Sequence, residues 1–170
     1  IAASGACGIR ENFGSMVKSL HAGQASAAGV WAALLAERGY KGSLTAFDGK
    51  VGFSRVYSGE RDITRWGEEL SGANTLMGVM LKRHPSCAAT HPALDALGEL
   101  KREIPFSWED VEEIECSVTP VNLSVLTYPD PRNGLEAKFS MPYCLSTFLV
   151  HHRLTLQDFE DTALSDPKVR

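Results

Sequence analysis

The chain has 170 residues, 44% of them hydrophobic and 22% charged, the composition of a soluble globular domain with a real core. Its net charge is −4 and its 17 lysines and arginines form no run, so it has no general attraction for nucleic acid or an anionic membrane. An anionic partner must therefore be met by positive charge held locally.

The opening Ile1-Ala2-Ala3-Ser4-Gly5-Ala6 has no initiating Met and no basic stretch, so it is not read as a signal peptide and the chain is expected to be a piece of a longer protein. A helix is predicted over 15–38, with Leu20, Ala27, Trp31, Leu34 and Leu35 at helical spacing and Gly39 as its C-cap. From 39 to 72 the composition turns to Gly, Asp, Arg and Ser. Phe47-Asp48-Gly49-Lys50 and Ser58-Gly59-Glu60 read as turns, and Asp62-Ile63-Thr64-Arg65-Trp66 as a short helix.

The apolar run 76–81 predicts a buried strand that Pro85 ends, and 87–102 a helix with Ala89, Ala93, Leu94, Leu97 and Leu100 inward. Over 111–118, Ile114, Cys116 and Val118 alternate with Glu113, Glu115 and Ser117, the pattern of a half-buried strand. Asn133-Gly134 offers a tight turn, and a strand around 136–139 would pair back. Pro142 suits the first turn of a helix to 152, Thr155 with Asp158 reads as a helix start, and Ser165-Asp166-Pro167 as another. The fold class expected is α+β: helix, a central α/β part, then helix.

Cys7, Cys87, Cys116 and Cys144 lie far apart with no C-x-x-C pair, which fits reduced, mostly buried thiols of a cytoplasmic protein better than a disulfide framework or a zinc site. No apolar run approaches the ~20 residues that span a bilayer.

Three segments carry candidate chemistry. In Lys18-Ser19-Leu20-His21-Ala22-Gly23, Lys18 and His21 share one helix face, offset from the apolar stripe; a solvated lysine beside a half-buried histidine is the plainer alternative. In Leu81-Lys82-Arg83-His84-Pro85-Ser86-Cys87, Lys82 precedes a helix whose N-terminal amides near Ser86 and Cys87 suit an anion, and His91 follows about one turn in. At least one of Lys82, Arg83 and His84 should face solvent. In Glu136-Ala137-Lys138-Phe139-Ser140-Met141-Pro142-Tyr143, the Tyr143 hydroxyl can act as a positioned acid or a hydrogen-bond donor, or be a satisfied core aromatic. His151 and His152 point in different directions and make no metal pair, and no phosphate-loop, dinucleotide or nucleophile-elbow motif is present.

In order and spacing these three segments resemble the MmgE/PrpD family across nearly the whole chain; the Lys-x-Leu-His-x-Gly helix running on to Ala32-Ala33-Leu34-Leu35-Ala36-Glu37-Arg38-Gly39 is the most specific part. Members act on citrate-like di- and tricarboxylates, among them 2-methylcitrate dehydratase, cis-aconitate decarboxylase and an iminodisuccinate epimerase.

The resemblance implies a small α+β lid inserted between helices of a larger all-helical domain, here truncated at both ends. Residues 1–40 would end the helical domain, 41–140 form the lid and 141–170 return to the helices. It maps two active-site lysines onto Lys18 and Lys82 and a tyrosine onto Tyr143, and makes His21 and His91 substrate-binding candidates. It places the catalytic aspartate and histidines mainly upstream of Ile1.

A small carboxylate substrate, a homodimer, a cytoplasmic location and no metal or organic cofactor are the corresponding expectations. The reaction would be dehydration or decarboxylation beside a carboxylate. Epimerisation, or a non-catalytic anion-binding or interaction subunit, is the alternative. The Lys-Arg-x-Pro-Ser and Ala-Thr-His pattern tilts the resemblance toward the decarboxylase and epimerase members.

Overall fold

A computed structural model of the chain describes residues 1–6, 8–59 and 78–170. Its Cα framework divides into two compact units, residues 1–9 with 19–80 and residues 10–18 with 81–170.

Helix α1, Val17–Glu37, starts in the 10–18 segment and supplies most of the regular structure of the first unit. It stops where the sequence places its cap. Gly39, at φ 82°, lets its own amide reach the Ala36 carbonyl at 2.9 Å and the Tyr40 amide reach Leu35 at 3.0 Å, satisfying two terminal carbonyls. The apolar stripe is present but uncovered: Leu20, Trp31 and Leu34 are 52, 65 and 44% exposed, and no α1 residue is buried. Helical periodicity selects a face without supplying its cover. A turn over 45–50 leads into α2, Phe53–Tyr57, anchored by the Ser54 hydroxyl donating to the Phe47 carbonyl at 2.7 Å. The short helix expected at 62–66 lies outside the described residues.

The second unit is built on α3, His91–Glu103, and the later α6, Met141–His151, which pack on each other. Leu94 and Leu97 of α3 join Ala137, Tyr143, Cys144, Leu145, Leu149, Leu154, Phe159, Leu164 and Val169 in one core. Each large apolar side chain so buried stabilises the fold by about 1.5–3 kcal/mol. Gly98 admits the Phe148 ring, whose Cζ stands 3.3 Å from where a Cβ would be. Lys101 donates from Nζ to the Leu149 carbonyl at 2.9 Å, a cation at the C-terminal end of the facing helix. Pro105 then ends α3, since it disfavours helical backbone at Ile104, which is extended.

Between these helices lie two shorter ones, α4 (Pro120–Val125) and α5 (Gly134–Ala137).

The expectation of an α+β fold is overturned: the described residues are helical, with no strand or sheet, so a sheet-bearing lid is not supported. In the run 76–81, Val79, Met80 and Leu81 are 63, 78 and 88% exposed and outside any strand, while Leu76 and Met77 lie outside the described residues. Segment 111–118 keeps a trace of its alternation, with Cys116 and Val118 half-buried and Glu115 and Ser117 exposed. Instead of pairing with a strand, it lines a groove with Ala93, Ala96 and Leu97 of α3. Period two reports which side chains face inward, and a ladder needs a partner as well.

At 133–139 a helix stands in place of the expected turn and strand. Asn133 followed by Glu136 three residues on is a helix start. The Asn133 side chain accepts from the Leu135 and Glu136 amides, both at 3.0 Å, and α5 replaces the expected strand. Ser140 caps α6 by accepting from the Tyr143 amide at 3.3 Å, and Pro142 sits in its first turn as expected. Thr155 and Asp158 bond as a helix start would, but the helix is only the single 3-10 turn Gln157–Phe159. At 165–167 a 3-10 turn, Ala163–Ser165, stands in place of a helix start.

Gly134 is the tightest point of this unit. A Cβ there would stand 1.6 Å from the Phe159 carbonyl oxygen, and its amide donates to Asp161 Oδ1 at 2.8 Å. Gly134→Ala is expected to destabilise the protein by about 3 kcal/mol, at the upper end of overpacking costs. A chemical-denaturation midpoint equal to wild type would contradict this close approach.

Candidate active site

The segment 82–91 and the turn after α5 are joined by one backbone hydrogen bond, from the Cys87 amide to the Lys138 carbonyl at 2.8 Å. Beneath it lies a small buried polar knot. The Ser86 and Thr90 hydroxyls are 2.7 Å apart, and Thr90 donates on to the Cys87 carbonyl at 2.8 Å. Cys144 is fully buried beside them, and burial pushes its thiol up to about 12. That thiol is no nucleophile at neutral pH.

This junction positions the basic groups. Lys82 donates from Nζ to the Ser86 carbonyl at 2.8 Å. An ammonium group has three N–H donors, so two remain for an anion. Lys18 belongs to the same unit, and its Nζ lies over the rings of Phe13 and Phe139, 5.6 and 5.8 Å from their centroids. The two rings are themselves 5.4 Å apart. This cation–π seat holds an exposed charge at a defined place. Phe139 follows Lys138, so both lysines are anchored to residues flanking the Cys87–Lys138 bond.

His91 opens α3 at the same junction. Its Nε2 is buried and has no hydrogen-bond partner. Burial first, then the neighbouring His84 and Lys82, hold its pKa below the ordinary 6.5 against hydrogen bonds to the backbone of His84 and Ser86 that raise it, so the ring is neutral at pH 7. A neutral imidazole with a free nitrogen near an ammonium suits a carboxylate or carboxylic acid.

At the helix end near Ser86 and Cys87, two of the amides are bonded within the chain. The Cys87 amide is taken by Lys138, and the Thr90 amide by the Cys87 carbonyl at 2.9 Å.

Tyr143 is 6% exposed, and its hydroxyl donates to the Asp158 carbonyl. Burial pushes its pKa up. Here it ties α6 to the turn at 155–159. His21 lies in the first unit, with its ring 3.0 Å from the position a Cβ on Gly8 would take; Gly8, at φ 115°, is required there. Thus Lys18, Lys82, His91 and Tyr143 belong to one compact unit and His21 to the other.

His84 was left undecided by the sequence. It is only 9% exposed, bonds Asp95 at 3.3 Å and meets the His91 ring edge to face, whereas the adjoining Arg83 points outward. No sequence signal separates it from Arg83, because two residues beside a proline follow no period. Among the described residues no group of His, Cys, Asp and Glu could hold a metal ion, and no helix is long and apolar enough to cross a membrane.

Residues 84–170 match the MmgE/PrpD C-terminal domain, and residues 1–65 the MmgE/PrpD N-terminal domain. The human (Homo sapiens) cis-aconitate decarboxylase is 25% identical over 176 residues, covering 100% of this chain and 36% of that protein. The mouse (Mus musculus) cis-aconitate decarboxylase is 25% identical over 171 residues, covering 94% and 34%. The chain therefore spans about a third of the length of these curated relatives.

The lowered pKa of His91 has a stability consequence with a definite sign. Between its folded value and 6.5 the unfolded chain binds the proton and the folded chain does not. The contribution of neutral His91 is thus complete above pH 6.5 and is lost as pH falls below it. Denaturation at pH 7.0 and 5.5 is expected to show a larger loss in wild type than in His91→Asn; equal losses would contradict the lowered pKa of this ring.

Proposed function

The chain belongs to the MmgE/PrpD family, and on that footing we propose that it is part of a lyase-type enzyme that dehydrates or decarboxylates small di- or tricarboxylates beside a carboxylate. The observation that carries the reading is the gathering of Lys18, Lys82 and the unpartnered His91 nitrogen around one hydrogen-bonded junction. Its similarity to proteins named cis-aconitate decarboxylase favours decarboxylation of an unsaturated tricarboxylate.

In that reaction the bond between carbon and the departing carboxylate breaks, CO2 leaves, and the electron pair stays on carbon. A proton then replaces the CO2. The remaining carboxylates carry more charge in the transition state than in the substrate, and fixed cations stabilise that difference. Lys18 and Lys82 take this role, and His91 bonds a substrate carboxyl group through Nε2. Tyr143 acts as an orienting group, consistent with its bond to the Asp158 carbonyl. His21 is assigned to substrate binding on its place in the Lys-x-Leu-His motif. The proton-transferring groups are assigned largely to the part of the relatives' length that these 170 residues do not span. The working form is taken to be a cytoplasmic homodimer.

The test is a screen of the full-length protein with cis-aconitate, 2-methylcitrate, citrate and iminodisuccinate, following CO2 release, water loss and α-proton exchange. CO2 release from cis-aconitate is the expected result. Proton exchange alone would assign an epimerase, and silence from folded protein would favour a non-catalytic anion-binding subunit. Lys82→Ala is expected to raise KM and lower kcat by about 100-fold, the scale of losing one charge-stabilising group. Unchanged kinetics would remove Lys82 from the site.

A further inference from the structure

We propose that His84, which the family reading leaves without a role, is a positioning residue that fixes the orientation of His91 through its own bond to Asp95. The proposal rests on the reading of His91 as a substrate contact only where activity is concerned; its structural part stands by itself.

The geometry has three parts. His84 is a buried side chain, 10% exposed, whose Nε2 lies 3.3 Å from Asp95 Oδ1. Asp95 sits one turn after His91 on α3, and Arg83 holds the same carboxylate oxygen at 3.1 Å. The His84 ring meets His91 edge to face, at a centroid distance of 5.1 Å and an interplanar angle of 88°. On α6, Phe148 meets His84 in the same manner at 5.9 Å and 86°.

His91 needs such support. Its Nε2 is buried without a hydrogen-bond partner, so that nitrogen does nothing to hold the ring. The backbone of His84 and Ser86 also bonds the ring, and His84 is the ring packed against it. His84 is in turn fixed at its edge by Asp95 and by Phe148. A side chain that must present a free nitrogen to a ligand cannot use that nitrogen to hold itself. The neighbouring ring, locked by its own carboxylate, supplies the preorganisation.

Three variants of the full-length protein separate this from mere packing. His84→Gln places an amide nitrogen close to the position of Nε2 and can still donate to Asp95. His84→Phe keeps the ring and loses the bond, and Asp95→Asn removes the carboxylate charge from the outer side with the core intact. The first readout is the set of His91 ring resonances in 13C,15N-histidine-labelled protein at pH 7. They are expected to move in His84→Phe and Asp95→Asn, which keep a ring at position 84 and alter its bond to Asp95, and to move as well in His84→Gln, which keeps a donor but has no ring.

The second readout is kcat and KM with cis-aconitate. His84→Phe should lower kcat about tenfold or more with KM within twofold, the scale of a small misplacement, and Asp95→Asn should lower it in the same sense. His91 resonances unmoved in both His84→Phe and Asp95→Asn would overturn the proposal, as would resonances unmoved in His84→Gln. If wild type does not turn over cis-aconitate, the reading of the reaction fails and the resonances alone decide the role of His84. If His84→Phe does not fold, Asp95→Asn decides it.

Discussion

The second unit depends on the hydrogen bond between the Cys87 amide and the Lys138 carbonyl. It joins two short segments that no helix or sheet connects, and each brings one of the basic anchors. On one side are Lys82, Ser86 and His91; on the other is Phe139, over which Lys18 is seated. A single backbone bond of this kind contributes about 1 kcal/mol net, and its importance lies in the two segments it joins.

Around that bond the local structure is made of short pieces held by side chains. Asn133 starts α5, Ser140 starts α6, and Ser86 with Thr90 closes the loop before α3. Caps of this type are each worth about 1 kcal/mol. They fix backbone direction where helices of one or three turns could not do so by propensity alone. The larger apolar contribution comes from Leu94, Leu97, Leu145 and Leu149, which hold α3 against α6. The buried thiol of Cys144 and the tied hydroxyl of Tyr143 belong to this frame. The residues proposed to meet the substrate, Lys18, Lys82 and His91, lie outside this frame.

Helices were legible from the sequence to the extent that their ends carry chemistry. The 15–38 expectation met α1 at Val17–Glu37 because Gly39 marks its stop, and Pro142 located α6. Helix 87–102 shifted to His91–Glu103 because a 3-10 turn, Ala88–Thr90, occupies its first residues. The alternation over 111–118 marked no strand: Cys116 and Val118 are half-buried in a groove beside α3, Ile114 is exposed, and no ladder forms among the described residues. The Lys82–His91 neighbourhood could be anticipated from spacing and the family motif. The Cys87–Lys138 bond, the aromatic seat of Lys18 and the burial of His84 could not, because they join positions far apart in the chain or beside a proline.

The central claim is that these side chains form one carboxylate-binding site, and a crystal structure of the full-length protein with bound citrate tests it most directly. The account predicts citrate carboxylates within hydrogen-bond distance of Lys82 Nζ and His91 Nε2, with Lys18 on a further carboxylate. Citrate bound elsewhere, with Lys82 still on the Ser86 carbonyl and His91 Nε2 still unpartnered, would contradict it.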